Sequence, residues 1–272
     1  RAKGDGIEFV FKSDRTTNNQ LLIESSGSLT QSFWDVKLIS SASSTVTSSI
    51  MSKLEFRLNN STNGNNSLNN NSVSMSTAWL PIKRHGKLWY VYLTRMTSSF
   101  TETTQSYRLY IGLQNKDKIP YFNAVSMSIS NSTAVTNFRG TGSLSSAVSG
   151  NLVFGETLTG SMAEIRVWNG ALSASKIKQH ILWKRNATGN NENSLNDIIY
   201  RFRLSENYTS GSSGSIKDAN YKYNSDYSRP LPFTNIGVYN KEIIDSVKLS
   251  PRLDGIGRQD NNMTVSYTHL RA

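Results

Sequence analysis

The sequence contains no cysteine, five prolines, three histidines and 19 acidic residues against 30 Lys+Arg, within 272 residues. Lack of cysteine excludes a small disulfide-stapled scaffold and every thiol-based nucleophile or metal ligand. A chain of this length buries roughly 70–75% of its unfolded surface, so it folds without such staples. No run approaches the ~18 apolar residues of a membrane-spanning helix, and the first residues form no signal-peptide core, so no membrane partner is expected. The formal charge is +11. Nucleic-acid binders concentrate such charge on one face, whereas here it is scattered, with its densest stretch, residues 176–185, reading as one solvated helix. No nucleic-acid partner is expected.

What is present is alternation. Ile7, Phe9 and Phe11 are spaced by two, as are Trp34, Val36 and Leu38, and then Leu54, Phe56 and Leu58. Trp89, Val91 and Leu93 follow, with Leu109, Ile111 and Leu113, Val125, Met127 and Ile129, Ala163, Ile165 and Val167, and Tyr200, Phe202 and Leu204. Period-two runs are strands with one buried face. About ten of them between Ser/Thr/Asn/Gly stretches predict an all-β fold, an antiparallel jelly-roll β-sandwich of two facing sheets.

Ser173 as N-cap and the stripe Ala174, Ile177, Ile181 predict one short amphipathic helix closing an end of the sandwich. Lys184 and Arg185 complement its C-terminal dipole. Residues 59–76, nearly all Asn and Ser, read as a long exposed loop. The expected organisation is a sandwich over 1–185, a linker at 186–194, and a smaller strand-rich segment at 195–264 belonging to a following module. Residues 265–272 (VSYTHLRA) read as a read-through artefact on a metagenomic fragment, and both ends read as cut from a longer protein.

KLWYVYLT (87–94) followed by YRLYIG (107–112), then GSMAEIRVWNGALS (160–173), resembles the paired strands and closing signature of laminin-G-like domains in the concanavalin-A-like lectin and glucanase superfamily. The resemblance covers roughly residues 7–185 and implies the jelly-roll sandwich. Physically, Ala163, Ile165 and Val167 would face the core, with Glu164 and Arg166 outside and free to pair across strands. YRFRLSENY (200–208), IKD (216–218) and IDSVKLSPR (244–252) resemble segments flanking such modules in very large structural proteins of marine tailed phages. That resemblance implies a virion location and other virion proteins as partners.

Some relatives of this fold hydrolyse glycans, which takes two carboxylates about 5–5.5 Å or 6.5–9.5 Å apart. No strand here carries acids at i and i+2: Glu55 is flanked by Lys53 and Arg57, and Glu164 by Arg166. Carboxylates meeting across strands remain open. There is no Gly-x-Ser-x-Gly elbow, and His85, His180 and His269 lack an acidic neighbour in sequence, His180 reading as a solvated surface residue. No catalytic residue and no enzyme is therefore expected. The resemblance allows calcium, but Asn115, Asp117 and Asp218 stand apart and calcium takes about 6–8 oxygens, so no cofactor or metal site is assigned.

One surface suggests a ligand. If Trp89, Val91 and Leu93 face inward, then Tyr90 and Tyr92 stand on the opposite face with Tyr110 and Arg108 beside them. Exposed rings next to a guanidinium suit a sugar or a protein surface. The same rings could simply cover the sheet. The expected function is a structural and interaction module of a virion protein, with carbohydrate-binding adhesion to a host-surface glycan as the alternative and glycan hydrolysis a distant third.

Overall fold

In the computed structural model the chain is described over residues 5–14, 18–28, 31–41, 51–59, 72–83, 86–96, 104–130, 151–168, 170–184, 186–190, 198–204, 214–216 and 231–233. The strands are β1 (Asp5–Ser13), β2 (Gln20–Ser28), β3 (Gln31–Ser40), β4 (Ser52–Asn59), β5 (Ser72–Ser76), β6 (Trp89–Arg95), β7 (Thr104–Asn115), β8 (Lys118–Ser130), β9 (Asn151–Phe154), β10 (Gly160–Trp168), β11 (Ile198–Phe202), β12 (Gly214–Ile216) and β13 (Leu231–Phe233), with one helix, α1 (Ala174–Leu182). A six-stranded sheet runs β11-β10-β1-β6-β7-β8 and a five-stranded sheet β5-β4-β3-β2-β9. All pairings are antiparallel. The chain crosses between sheets after β1, β5, β8 and β9, which makes this the expected sandwich. β12 and β13 pair with each other as a separate two-stranded ribbon.

The alternating residues meet between the sheets. Ile7, Phe9, Phe11, Trp34, Val36, Phe56, Trp89, Val91 and Ile111 are all fully buried in one cluster. Phe56 from the small sheet reaches Tyr107 of the large one with ring centroids 5.7 Å apart, so aromatic contact bridges the two layers. Ala163 departs from its expected place. Glu8 pairs with Arg166 but Val10 with Ala163, so Ile165 and Glu164 together oppose Phe9. This is a β-bulge, with Glu164 at φ 50. It reverses the parity beyond it: Met162 packs on the core while Ala163 stands on the other face with Val10.

Three further expectations on organisation are corrected. Residues 72–76 are not loop: they form the edge strand β5, where Met75 is buried against the core and pairs with Phe56, because Val73 and Met75 alternate within the Ser/Asn run. Residues 60–71 lie outside the described residues. The sandwich does not end at 185, because Ile198–Phe202 adds β11 to β10 with Phe202 facing Ile165. Nor do residues 186–190 behave as a linker: Asn190 Oδ1 accepts from Ser173 N–H at 2.7 Å and its amide donates to Ala171 O at 2.9 Å. The artefact assigned to 265–272 and the phage-like segment at 244–252 fall outside the described residues.

Candidate functional site

The central strands of the large sheet, β1 and β6, are buried on both faces. Period-two geometry sends Glu8 and Val10 of β1, Tyr90 and Tyr92 of β6, Tyr110 and Gly112 of β7, and Arg166 and Trp168 of β10 away from the sandwich core. Helix α1 lies over that face across β6, β7 and β8, not over an end of the sandwich. Its start is as expected, with Lys176 N–H donating to Ser173 Oγ at 3.3 Å. Ile177 and Ile181 complete a second apolar cluster with Val10, Tyr90, Tyr92, Tyr110, Trp168 and Leu172. Close approach is made possible at Gly112, where a Cβ would lie 2.4 Å from Ile181 Cδ1.

The expected ligand surface is thereby corrected. Tyr90 and Tyr92 are fully buried and Tyr110 nearly so, and Tyr92 spends its hydroxyl accepting from Leu172 N–H at 2.8 Å. Only Arg108 is exposed. The parity was as expected, but a helix and its following turn cover the face that parity left open.

Within this second layer lies a chain of charges. Glu8 Oε1 accepts from Arg166 Nη1 at 2.6 Å, and Oε2 accepts from His180 Nδ1 at 3.0 Å and from the Tyr90 hydroxyl. Arg166 Nη2 donates to Glu164 Oε2 at 2.7 Å and to Lys184 O, and Arg201 Nε donates to Glu164 Oε2 at 3.3 Å. His180 Nε2 faces Thr188 O at 2.9 Å. Both ring nitrogens therefore sit at acceptor oxygens, a carboxylate on one side and a backbone carbonyl on the other. His180 is thus a buried strut between helix and sheet rather than a solvated residue, and its acidic partner is 172 positions away. Burial pushes the Glu8 carboxyl up, but His180 and Arg166 outweigh it and hold the group down at about 2. Glu164 is likewise lowered, against burial, by Arg201 and Arg166. Two carboxylates do meet across strands, but a guanidinium occupies the space between them and no member reaches solvent. The cluster ties α1 to the sheet.

What does face solvent lies at the opposite edge. Among the described residues the exposed large hydrophobic side chains are Trp79 and Tyr121. The backbone that carries Trp79 is pinned on both sides. Thr77 N–H donates to Leu54 O at 2.9 Å, and Leu80 and Ser52 exchange two bonds of 2.8 Å. Ala78 N–H donates to Asn123 Oδ1 at 3.1 Å. Further on, Ile82 O accepts from Trp89 Nε1 at 3.2 Å, and Lys83 Nζ donates to Asn18 O at 3.1 Å and to Ser40 Oγ. Burial pushes the Lys83 amine down to about 8. Asn123 lies two residues along β8 from Tyr121, on the same side of the strand. Edge strand β5 of the small sheet runs beside edge strand β8 of the large one, and the segments that carry Trp79 and Tyr121 meet there, with the Tyr121 ring 5.8 Å from that of Trp89. Lys53 Nζ stands 5.6 Å from the Trp79 ring centroid. Sequence reasoning passed over Trp79, which belongs to no alternating run.

Among the described residues no three His, Asp or Glu side chains converge to hold a metal ion, and no helix is long and apolar enough to cross a membrane.

No protein-family model and no curated relative matches the chain. Several solved structures align with the chain at low identity. The SAP-like pentraxin of Limulus polyphemus aligns at 10% identity and TM-score 0.34, over 66% of this chain and 70% of its own. The CBM40 of the Ruminococcus gnavus IT-sialidase aligns at 10% and 0.34, over 65% and 81%. An alginate lyase from Alteromonas sp. 272 aligns at 13% and 0.27, over 47% of this chain and 50% of its own. The expectation of a non-enzyme is corrected: alginate lyase is among the structures that align with the chain, and the absence of paired acids on one strand excludes only one kind of glycan chemistry.

Proposed function

We propose that this sandwich is a carbohydrate-binding, lectin-like interaction module, and that it engages glycan through the Trp79–Tyr121 seam. The observation that carries the reading is an indole held 46% exposed on a backbone fixed at residues 77, 78 and 80. An apolar ring kept in water on a rigid support loses little entropy when a sugar face stacks on it. Asn123, Ser76 and Lys53 supply hydrogen-bonding groups around the rings, the mixture that orients a polyhydroxylated ligand. Edge position favours an extended chain, which could run along the seam without displacing any strand.

The setting we propose is a virion, with the module presented among other virion proteins to a host-surface glycan. The likeness of residues 200–208 and 216–218 to segments of phage structural proteins supports that setting.

A glycan array probed with the whole chain, then with Trp79→Ala and Tyr121→Ala, tests the binding role. Both side chains are partly in water, so both variants are expected to keep the wild-type melting temperature while losing at least about tenfold in affinity. An array with no signal, or variants that bind as wild type does, refutes the seam as the site. Incubating bound polysaccharide with the protein reports in the same experiment whether chain cleavage accompanies binding.

A further inference from the structure

The geometry points to an acidic sugar as the ligand of this seam: a pyranose stacked on Trp79 with its carboxylate received by Lys53 Nζ. The inference rests on the glycan-binding reading above and adds the charge of the ligand to it.

Lys53, Glu55 and Arg57 share the solvent face of β4, since each is separated from the next by two residues. Their charges are used differently. Arg57 is committed to Asp35, with its Nε 3.0 Å from Oδ1. Glu55 lies against Ser76, whose hydroxyl is 3.5 Å from Oε1. Lys53 Nζ donates to the same Ser76 hydroxyl at 3.3 Å and stands over the indole of Trp79. Among the described residues no carboxylate lies within ion-pair distance of Lys53 Nζ. The contrast with its neighbours is physical. Lys37 and Arg57 both converge on Asp35, whereas Lys53 is drawn to the electron-rich face of a ring.

A cation parked at the rim of an exposed stacking platform adds a direction to it. A neutral sugar ring on Trp79 would gain stacking alone. A uronic acid ring places a carboxylate at its edge, and the ammonium needs only rotation of its own flexible stem to meet it. The net charge of +11 pulls the same way, by raising the local concentration of any polyanion before contact. Glu55 works against too dense an anion, because it sits on the same face, so one acidic group per contacted ring suits the site better than a heavily sulfated chain.

The test is isothermal titration of the whole protein with trigalacturonate and with its fully methyl-esterified form, in which a methyl group replaces the charge on each carboxyl. Wild type is expected to prefer the acid by about fivefold at low ionic strength, with the preference shrinking as salt is added. Lys53→Gln is expected to bind both forms equally, and Lys53→Arg to restore the preference. Trp79→Ala is expected to lose both ligands. If Lys53→Gln keeps the preference, or wild type shows none, the acidic-sugar inference is overturned while the glycan reading stands. If Trp79→Ala binds both as before, or neither probe binds wild type, both are overturned. Lys53 is partly exposed and pairs with no acid here, so circular dichroism of Lys53→Gln is expected to match wild type.

Discussion

Replacing Glu8 by glutamine removes one negative charge from a cluster in which every member is buried. The side chain is fully inaccessible and receives Arg166, His180 and Tyr90 on its two oxygens. Glutamine keeps one acceptor and turns the other position into a donor, which would then face the Arg166 guanidinium or the His180 ring. Arg166 would be left to share Glu164 with Arg201. Removing one partner of a buried ion pair costs about 3–5 kcal/mol, because the remaining charge stays desolvated. A separate route gives a similar size. The fall of the Glu8 carboxyl from 4.5 to about 2 on folding corresponds to about 3 kcal/mol. A depressed folded value means that this stability is present above pH 4.5 and is lost as pH falls through about 2. Urea unfolding followed by tryptophan fluorescence, at neutral pH and at several acid pH values, measures both. Wild type should lose stability steadily across that acid window. Glu8→Gln should start about 3 kcal/mol lower and show a shallower acid slope, with Glu164 supplying what remains. A variant within about 1 kcal/mol of wild type at neutral pH, or with the wild-type acid slope, would refute the claim that this charge ties helix to sheet.

Two further predictions probe the same layer. A Cβ at Gly6 would fall 2.3 Å from the Tyr92 hydroxyl and 2.5 Å from its rigid ring, whereas at Gly112 it would crowd the Ile181 side chain, which can turn aside, with Cγ1 at 3.0 Å. Gly6→Ala should therefore cost more than Gly112→Ala, about 3 against about 1 kcal/mol, and thermal unfolding showing the reverse order would contradict the packing described. Burial pushes the Lys184 amine down to about 7 from 10.5, so between those values the unfolded chain holds a proton that the native one has shed. Stability should rise with pH across that window and be flat in this term below it, and Lys184→Met should flatten the rise in a series of melting temperatures from pH 7 to 10.

Alternation alone determined the sandwich, because a side chain's face in a strand follows from its parity and needs no knowledge of its neighbours. Trp34, Phe56, Trp89 and Ile111 were legible as core for that reason, and Ser173 as a cap because the bond it makes spans only three residues. Parity also separated Tyr90 and Tyr92 from that core, but it says nothing of what lies beyond the second face. That was decided by where α1 docks, a contact between β1 and a helix residue 172 positions apart, which no local pattern encodes. The same distance turned Glu8, Arg166 and His180 from three ordinary surface residues into one buried network. Ala163 was misplaced because a bulge is a property of two paired strands, and only the partner's register reveals the extra residue at Glu164. Trp79 belonged to no period at all. Its place in water beside β8 follows from hydrogen bonds to β4 and to Asn123, so the seam exists only once the two sheets are stacked.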